Sequence, residues 1–329
     1  MSKHPAKARA SLLAAALVAT IGAAFATTAA AQQYPNKPVR VIVPYAAGGN
    51  TDIQARITAE ALSRVYNQQF IIENRLGAGG SIAAEAVKAS APDGYTMFFT
   101  AVGVMAVLPH LQKVSWDTFK DFTPVSIVGT NGFVLAVHPS LGVKTVKEFV
   151  DYVKARPGKL AYGQAGNGSM SHLSGAMLAD RAGLDMIGIP YKGGSAAVAD
   201  MVAGQVAMYF GNFSEVVPHA RNGRAVLLAF SGDKRDKQIP EVPTIGETYP
   251  GLRTVTWNGW MAPAGTPKDI VDRLSQELAR QIKDPAVTER LVKAGVDPWG
   301  STPQEFADNI KRDYDTFRDV VKNANIRVQ

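Results

Sequence analysis

The 329-residue sequence contains no cysteine. That excludes disulfides, thiol nucleophiles, cysteine-held metal and a lipidated cysteine anchor, so the fold rests on its hydrophobic core. Metal-binding spacing is also missing. His4, His110, His138, His172 and His219 are scattered, with no H-E-x-x-H or similar grouping, and no metal site is expected. No G-x-S-x-G elbow surrounds Ser169 or Ser171, although His172 stands close to both, so a serine hydrolase is disfavoured. The Gly77-Ala78-Gly79-Gly80 run begins like a dinucleotide fingerprint, but its third glycine would fall at Ile82. It reads as a tight turn, and no cofactor is expected. Lys and Arg form no clustered run, which argues against a nucleic-acid partner.

Acidic residues are absent from the first 31 positions. Lys3, Lys7 and Arg9 make a basic start, an apolar or small stretch runs from Ala10 to Ala26, and Ala29-Ala30-Ala31 follows. This order reads as a secretory signal peptide over 1–31, cleaved after Ala31 to leave Gln32 first. The stretch is alanine-rich and short beside the roughly 20 strongly apolar residues of a membrane span. No later stretch is long and apolar enough to span, so a soluble mature protein in the periplasm is expected. Removing the three leader cations takes the formal charge from +7 to about +4, a mild excess that suits weak steering of anions.

What remains is a chain of about 300 residues, a size at which cores tend to divide in two. Short β-branched runs alternate with amphipathic helical segments, the α/β pattern. The run Val39-Arg40-Val41-Ile42-Val43 reads as a strand covered on both faces. A helix follows in which Ile53, Ile57, Ala61 and Val65 recur every fourth residue. Further strands are expected at 70–72, 95–100, 125–128, 133–137, 160–162, 187–189, 206–210, 225–230 and 254–261, and a second helix from about Ser81. Thr145 and Glu148 form a capping box. Thr266-Pro267, Asp284-Pro285 and Thr302-Pro303 each place an N-cap residue before a proline at the first helical position.

Three strand-to-helix loops are built of glycine and small polar residues: 44–52, 166–172 and 190–195. A helix N-terminus offers unpaired N–H groups and partial positive charge, which suit a carboxylate. Ligands of open α/β sheets sit beyond the carboxyl ends of the strands, where such loops lie. Lys192 is the one cation inside these three loops, placed either to pair with a ligand carboxylate or to be solvated. His172 reads equally as a cleft donor or a helix-packing residue. Tyr45, Tyr191, Phe210 and Trp257 are candidates for cleft walls or core.

At these loops the sequence resembles a known family. Its start, Tyr34-Pro35-x-Lys37-Pro38-Val39-Arg40-Val41-Ile42-Val43-Pro44-Tyr45-x-x-Gly48-Gly49, is followed by Glu73-Asn74-Arg75-x-Gly77-Ala78-Gly79-Gly80. Then come Ala91-Pro92-Asp93-Gly94-Tyr95-Thr96, Pro190-Tyr191-Lys192-Gly193 and Ala262-Pro263-Ala264-Gly265-Thr266-Pro267. Together they resemble the Bug family, the extracytoplasmic receptors of tripartite tricarboxylate transporters. The resemblance implies a type II periplasmic-binding-protein fold: two α/β lobes, each a mixed sheet flanked by helices, joined by two crossing strands. Lobe one would comprise 32–130 and 257–329, and lobe two 131–256.

It further implies a carboxylate held by Tyr45, Ala46, Ala47, Gly48, Gly49 and Thr51, with Thr100 and Ala101 at a strand end. The second lobe would contribute Gly168, Ser169, His172, Tyr191, Lys192 and Asn212. Where relatives often carry Asp after the residue matched by Phe210, this chain has Gly211-Asn212. Loss of that carboxylate points to a ligand without an ammonium group, a non-amino mono- or dicarboxylate. The expected protein is a monomeric receptor, not an enzyme, that delivers its ligand to an integral-membrane permease. The alternative is a sensor receptor that presents the ligand to a signalling protein.

Overall fold

The computed structural model describes residues 34–323. The segment read as an export signal, with its cleavage point, lies outside the described residues. From Lys37 onward the chain is one compact unit. It opens with β1 (Val39–Val43), buried except at Arg40, which pairs in parallel with β2 (Phe70–Asn74) and β3 (Thr96–Ala101). The crossover from β1 to β2 is α1 (Asn50–Tyr66). Its expected stripe fades along the helix: Ile57 and Ala61 are buried, but Val65 is 40% exposed. Four-residue steps drift by about 40° each on a 3.6-residue turn, so such a stripe leaves the core by its last position, and the buried face also takes in Gln54, Ala55, Thr58 and Leu62.

The α2 helix (Ser81–Lys88) leads to β3, after which a π-helical turn (Gly103–Val107) runs into α3 (Leu108–Leu111). The next strand corrects an expectation. Positions 125–128 and 133–137 are not two strands but parts of one, β4 (Phe122–Val137). The intervening Gly129-Thr130-Asn131-Gly132 has little strand propensity of its own. It is held extended by β9 (Val255–Pro263), with Thr130 opposite Trp257 and Gly132 opposite Val255. Long-range pairing overrides local propensity here.

Four βα units follow: α4 (Val146–Lys154) and β5 (Ala161–Gln164), α5 (Met170–Ala182) and β6 (Ile187–Pro190), α6 (Gly194–Val202) and β7 (Met208–Asn212), α7 (Phe213–Arg221) and β8 (Val226–Phe230). After α8 (Ile245–Thr248) and β9 come α9 (Lys268–Ile282), α10 (Pro285–Lys293), the short β10 (Asp297–Pro298) and α11 (Pro303–Asn323). The capping signals mostly hold. Asp284 accepts from the Ala286 and Val287 amides, and Thr302 accepts from Glu305 N at 3.2 Å. At the first proline the helix starts one residue late, with Pro267 as the N-cap, because the Thr266 hydroxyl turns back to Pro263 O at 2.7 Å.

The strand order is β2-β1-β3-β9-β4-β7-β5-β6, with β8 and β10 also on β4. One sheet runs from β2 to the first part of β4. The last part, Phe133 to Val137, pairs with β7 and β8 and so belongs to a second sheet. Each sheet with its helices forms a lobe, and β4 and β9 make the passage between them. Gly132 sits at that passage because a Cβ there would lie 2.5 Å from the Phe230 ring. The first lobe is anchored by Trp260, fully buried, with Phe70 and Phe99 edge-on at 6.1 and 5.7 Å and its indole N–H on Thr58 Oγ1 at 3.1 Å.

Candidate ligand-binding site

The loop after β1 presents the N-terminus of α1. Gly48 takes φ +77 there, a backbone conformation that favours glycine. The N-cap, Gly49, has no side chain to cap the helix. Asp52, at the third helical position, instead ties the helix to the preceding loop by accepting from Gly48 N at 2.9 Å. It is itself held by Arg56 at 2.8 and 3.0 Å and by Asn74 at 2.9 Å. Burial pushes the Asp52 carboxyl up. The hydrogen bonds from Arg56, Gly48 and Asn74 outweigh it, and the net pKa lies below the ordinary value. Asn74 also donates to Tyr45 O at 2.8 Å, which fixes the loop's other end.

Three helices of the opposite lobe, α5, α6 and α7, also begin at the site. Ser169 caps α5: its hydroxyl accepts from His172 N at 3.3 Å, donates to Gly166 O at 2.7 Å and lies 2.9 Å from Ser171 Oγ. The His172 ring points elsewhere, its Nδ1 accepting from Gly168 N at 3.2 Å. Only a ring nitrogen without a proton accepts, and burial lowers the His172 pKa to about 4. The backbone of His172 meets Ser169, not its imidazole, so hydroxyl and base are unpaired. Gly193 caps α6 with φ +142 and no side chain. Asn212 caps α7 in a reciprocal box with Glu215.

These four N-termini converge on one partly open cavity of about 40 Å³, room on the scale of a few waters. Tyr45, Gly49, Asn50 and Thr51 line it from the first loop, and Ala101 and Gly103 from the end of β3. Ser169, Met170, Ser171 and Ala165 line it at α5, Gly194 at α6, and Asn212 and Glu215 at α7. Phe133, Thr256 and Asn258 close it from the passage strands. The Tyr45 hydroxyl is at the buried end of its side chain, and desolvation raises its pKa well above the usual phenol range.

A polar network runs through the passage. Asn131 Oδ1 accepts from Asn50 Nδ2 at 3.2 Å, and its amide donates to Asn212 Oδ1. Glu215, 6% exposed, uses its two oxygens differently. Oε2 accepts from Tyr209 Oη, Asn212 N and Asn212 Nδ2 at 2.9, 3.0 and 3.2 Å, all within its own lobe. Oε1 accepts from Asn50 N of the other lobe at 3.1 Å. Thr51 donates to Asn258 Oδ1 at 2.8 Å. The Asn258 Nδ2 group, buried on the cavity wall, has no hydrogen-bond partner in the protein, and neither has the Thr100 hydroxyl. An unmatched buried donor costs about 1–3 kcal/mol and marks where a ligand oxygen would be welcome.

The lobes also touch through backbone groups. Ala46 N donates to Lys192 O at 3.2 Å, and Ser195 Oγ donates to Ala47 O at 3.2 Å. A Cβ on Gly103 would lie 2.8 Å from Gly168 O, and one on Gly193 2.8 Å from Ala46 N. Of the residues singled out in the sequence, Tyr45, Gly49, Thr51, Ala101, Ser169 and Asn212 line the cavity. Ala47, Gly48 and the Lys192 side chain face solvent, Ala46 engages Lys192, and Tyr191 donates to Asp200 Oδ2 at 2.7 Å. Gly168, His172 and Thr100 are buried behind the lining. Phe210 is core, and Trp257 packs on Phe306 at 4.9 Å with its N–H on Asp313.

Sequence reasoning missed Glu215, although Asn212 three residues earlier makes a capping-box pattern that was there to read. It also missed Asn50, Asn258 and Gly103. Only pairing places Asn258 opposite Ala101. The arrangement offers N–H and O–H donors around a small space. Among the described residues no three His, Cys, Asp or Glu gather as metal ligands.

Comparison with known proteins fits this geometry. Residues 54–326 match the tripartite tricarboxylate transporter family receptor. The periplasmic binding protein BugD superposes with a TM-score of 0.86 at 31% identity, over 90% of this chain and 100% of that one. R. palustris Rpa4515 with adipate gives 0.87 at 33% identity, over 90% and 99%. MatC (Rpa3494) from Rhodopseudomonas palustris with bound malate gives 0.84 at 32% identity, over 88% and 100%. The chain belongs to the tripartite tricarboxylate transporter receptor family, with the two-lobed fold of Bug-type periplasmic binding proteins, and is a binding protein rather than an enzyme.

Proposed function

We propose that this protein is a periplasmic receptor that captures a small non-amino carboxylate between two lobes, 32–130 with 257–329, and 131–256. It would work as a monomer and hand its ligand to an integral-membrane permease of the tripartite tricarboxylate type. The observation that carries this reading is the convergence of four helix N-termini and an unmatched Asn258 amide on one interlobe cavity. Partial positive charge and free donors at one point favour an oxyanion. Solved relatives with adipate and malate bound support the ligand class.

The ligand's amino group is argued against by Glu215. It puts a carboxylate on the cavity wall, but four donors already meet it, which leaves it little acceptor capacity for an ammonium. A thermal-shift and calorimetric screen of amino acids and of mono-, di- and tricarboxylates tests the proposal. At 100 times its dissociation constant a true ligand should stabilise the fold by about 2.7 kcal/mol. Stabilisation by amino acids and not by simple carboxylates would overturn it.

A further inference from the structure

Glu215 lies where an incoming carboxylate would be expected. Its Oε1 accepts from Asn50 N, the first amide of α1, at 3.1 Å. The same oxygen lies over the start of α6: a Cβ on Gly194 would fall 2.1 Å from Oε1 and 2.5 Å from Oε2. Glycine at 194 thus leaves the space that this carboxylate fills. A side chain of the protein itself bonds the N-terminus of α1 and lies against the start of α6, one helix from each lobe. A capping box needs one Glu oxygen directed at the N-cap amide, and Oε2 supplies it. The reach of Oε1 across the cleft is additional to capping.

The rest of the cavity is provisioned differently. Around Asn258, Ser169, Ser171 and Tyr45 there is no carboxylate, and the Asn258 amide has an open donor. Resting on the carboxylate-receptor reading, we infer that Glu215 is a built-in second carboxylate. It occupies one of two anion cradles and restricts the receptor to monocarboxylates. A ligand's single carboxylate takes the cradle at α5 and Asn258, and its apolar end faces Phe133 and Met170. A dicarboxylate would bring a second negative charge against Glu215 in a small site walled by buried residues, where like charges interact more strongly than in bulk water.

The test is a set of calorimetric titrations with pairs of equal chain length, butanoate against succinate and hexanoate against adipate. Wild-type protein is expected to bind the monocarboxylate of a pair at least tenfold more tightly. Glu215→Ser empties the cradle and should shift that ratio toward the dicarboxylate by tenfold or more. Glu215→Gln keeps a capping side chain without the charge. It should narrow the ratio at least threefold, and it carries the test if the serine variant fails to fold by circular dichroism. A wild type that binds the dicarboxylates as tightly, or a ratio unmoved in the folded variants, overturns this inference alone. A wild type that binds neither member of either pair overturns it together with the receptor reading.

Discussion

His172 can hold its ring against the Gly168 amide only while Nδ1 carries no proton. Burial keeps it so, with a pKa of about 4 in the folded chain against about 6.5 when unfolded. A depressed pKa favours the fold above the unfolded value and loses that contribution as pH falls toward the folded one. Between pH 7.5 and 5 the loss from this residue should be about 2 kcal/mol. Urea unfolding at the two pH values measures it, and His172→Gln should remove most of that difference. The sequence left His172 open between cleft donor and helix packing, because a short peptide does not reveal which way an imidazole turns. It left Lys192 equally open, and the structure puts that side chain in solvent. Gly211 was legible as a missing acid. The capping box of Glu215 with Asn212 was legible too, but its reach into the cleft was not, since its partners Asn50 and Tyr209 are distant in sequence or in a different element.

The start of α1 depends on one side chain. With Gly49 unable to cap, the Asp52 carboxylate links the helix to Gly48, Arg56 and Asn74. Replacing Asp52 by Ala should lower unfolding stability by about 1–2 kcal/mol. Because Asn74 also ties down Tyr45 O, carboxylate affinity should fall with it, which calorimetry would show. A full-affinity variant would mean the loop is held by other means. Elements were the most legible scale. Continuous apolar runs gave the parallel strands, and Asp284-Pro285 and Thr302-Pro303 gave two helix starts at the right residue. Where local signals failed, a remote partner was responsible. Thr266 bonds backward to Pro263 O, and Gly129 to Gly132 is a strand because β9 lies beside it, joined by β10 at Gly129 and Thr130.

Closure is a property of the whole molecule and was invisible in composition. Gly103, in the π-helical turn, lets Gly168 O approach from the other lobe. π-Turns often mark functional positions. Gly103→Val should act as a wedge: it should raise the radius of gyration in X-ray scattering and weaken carboxylate binding tenfold or more, with circular dichroism unchanged. Wild-type scattering and affinity in that variant would show that the approach of Gly103 and Gly168 is incidental.

Much of what meets across the cleft is main chain: the Ala46 amide on the Lys192 carbonyl, the Ala47 carbonyl and the Asn50 amide. Such groups belong to every residue type, and among them only proline lacks the N–H. Codon changes at these positions therefore leave much of the closing apparatus in place. Taste for a ligand resides in a few side chains, among them Ser169, Asn212, Glu215 and Asn258. A duplicated copy of this gene could thus acquire a new nutrient through a handful of substitutions, while inheriting the trap that closes on it.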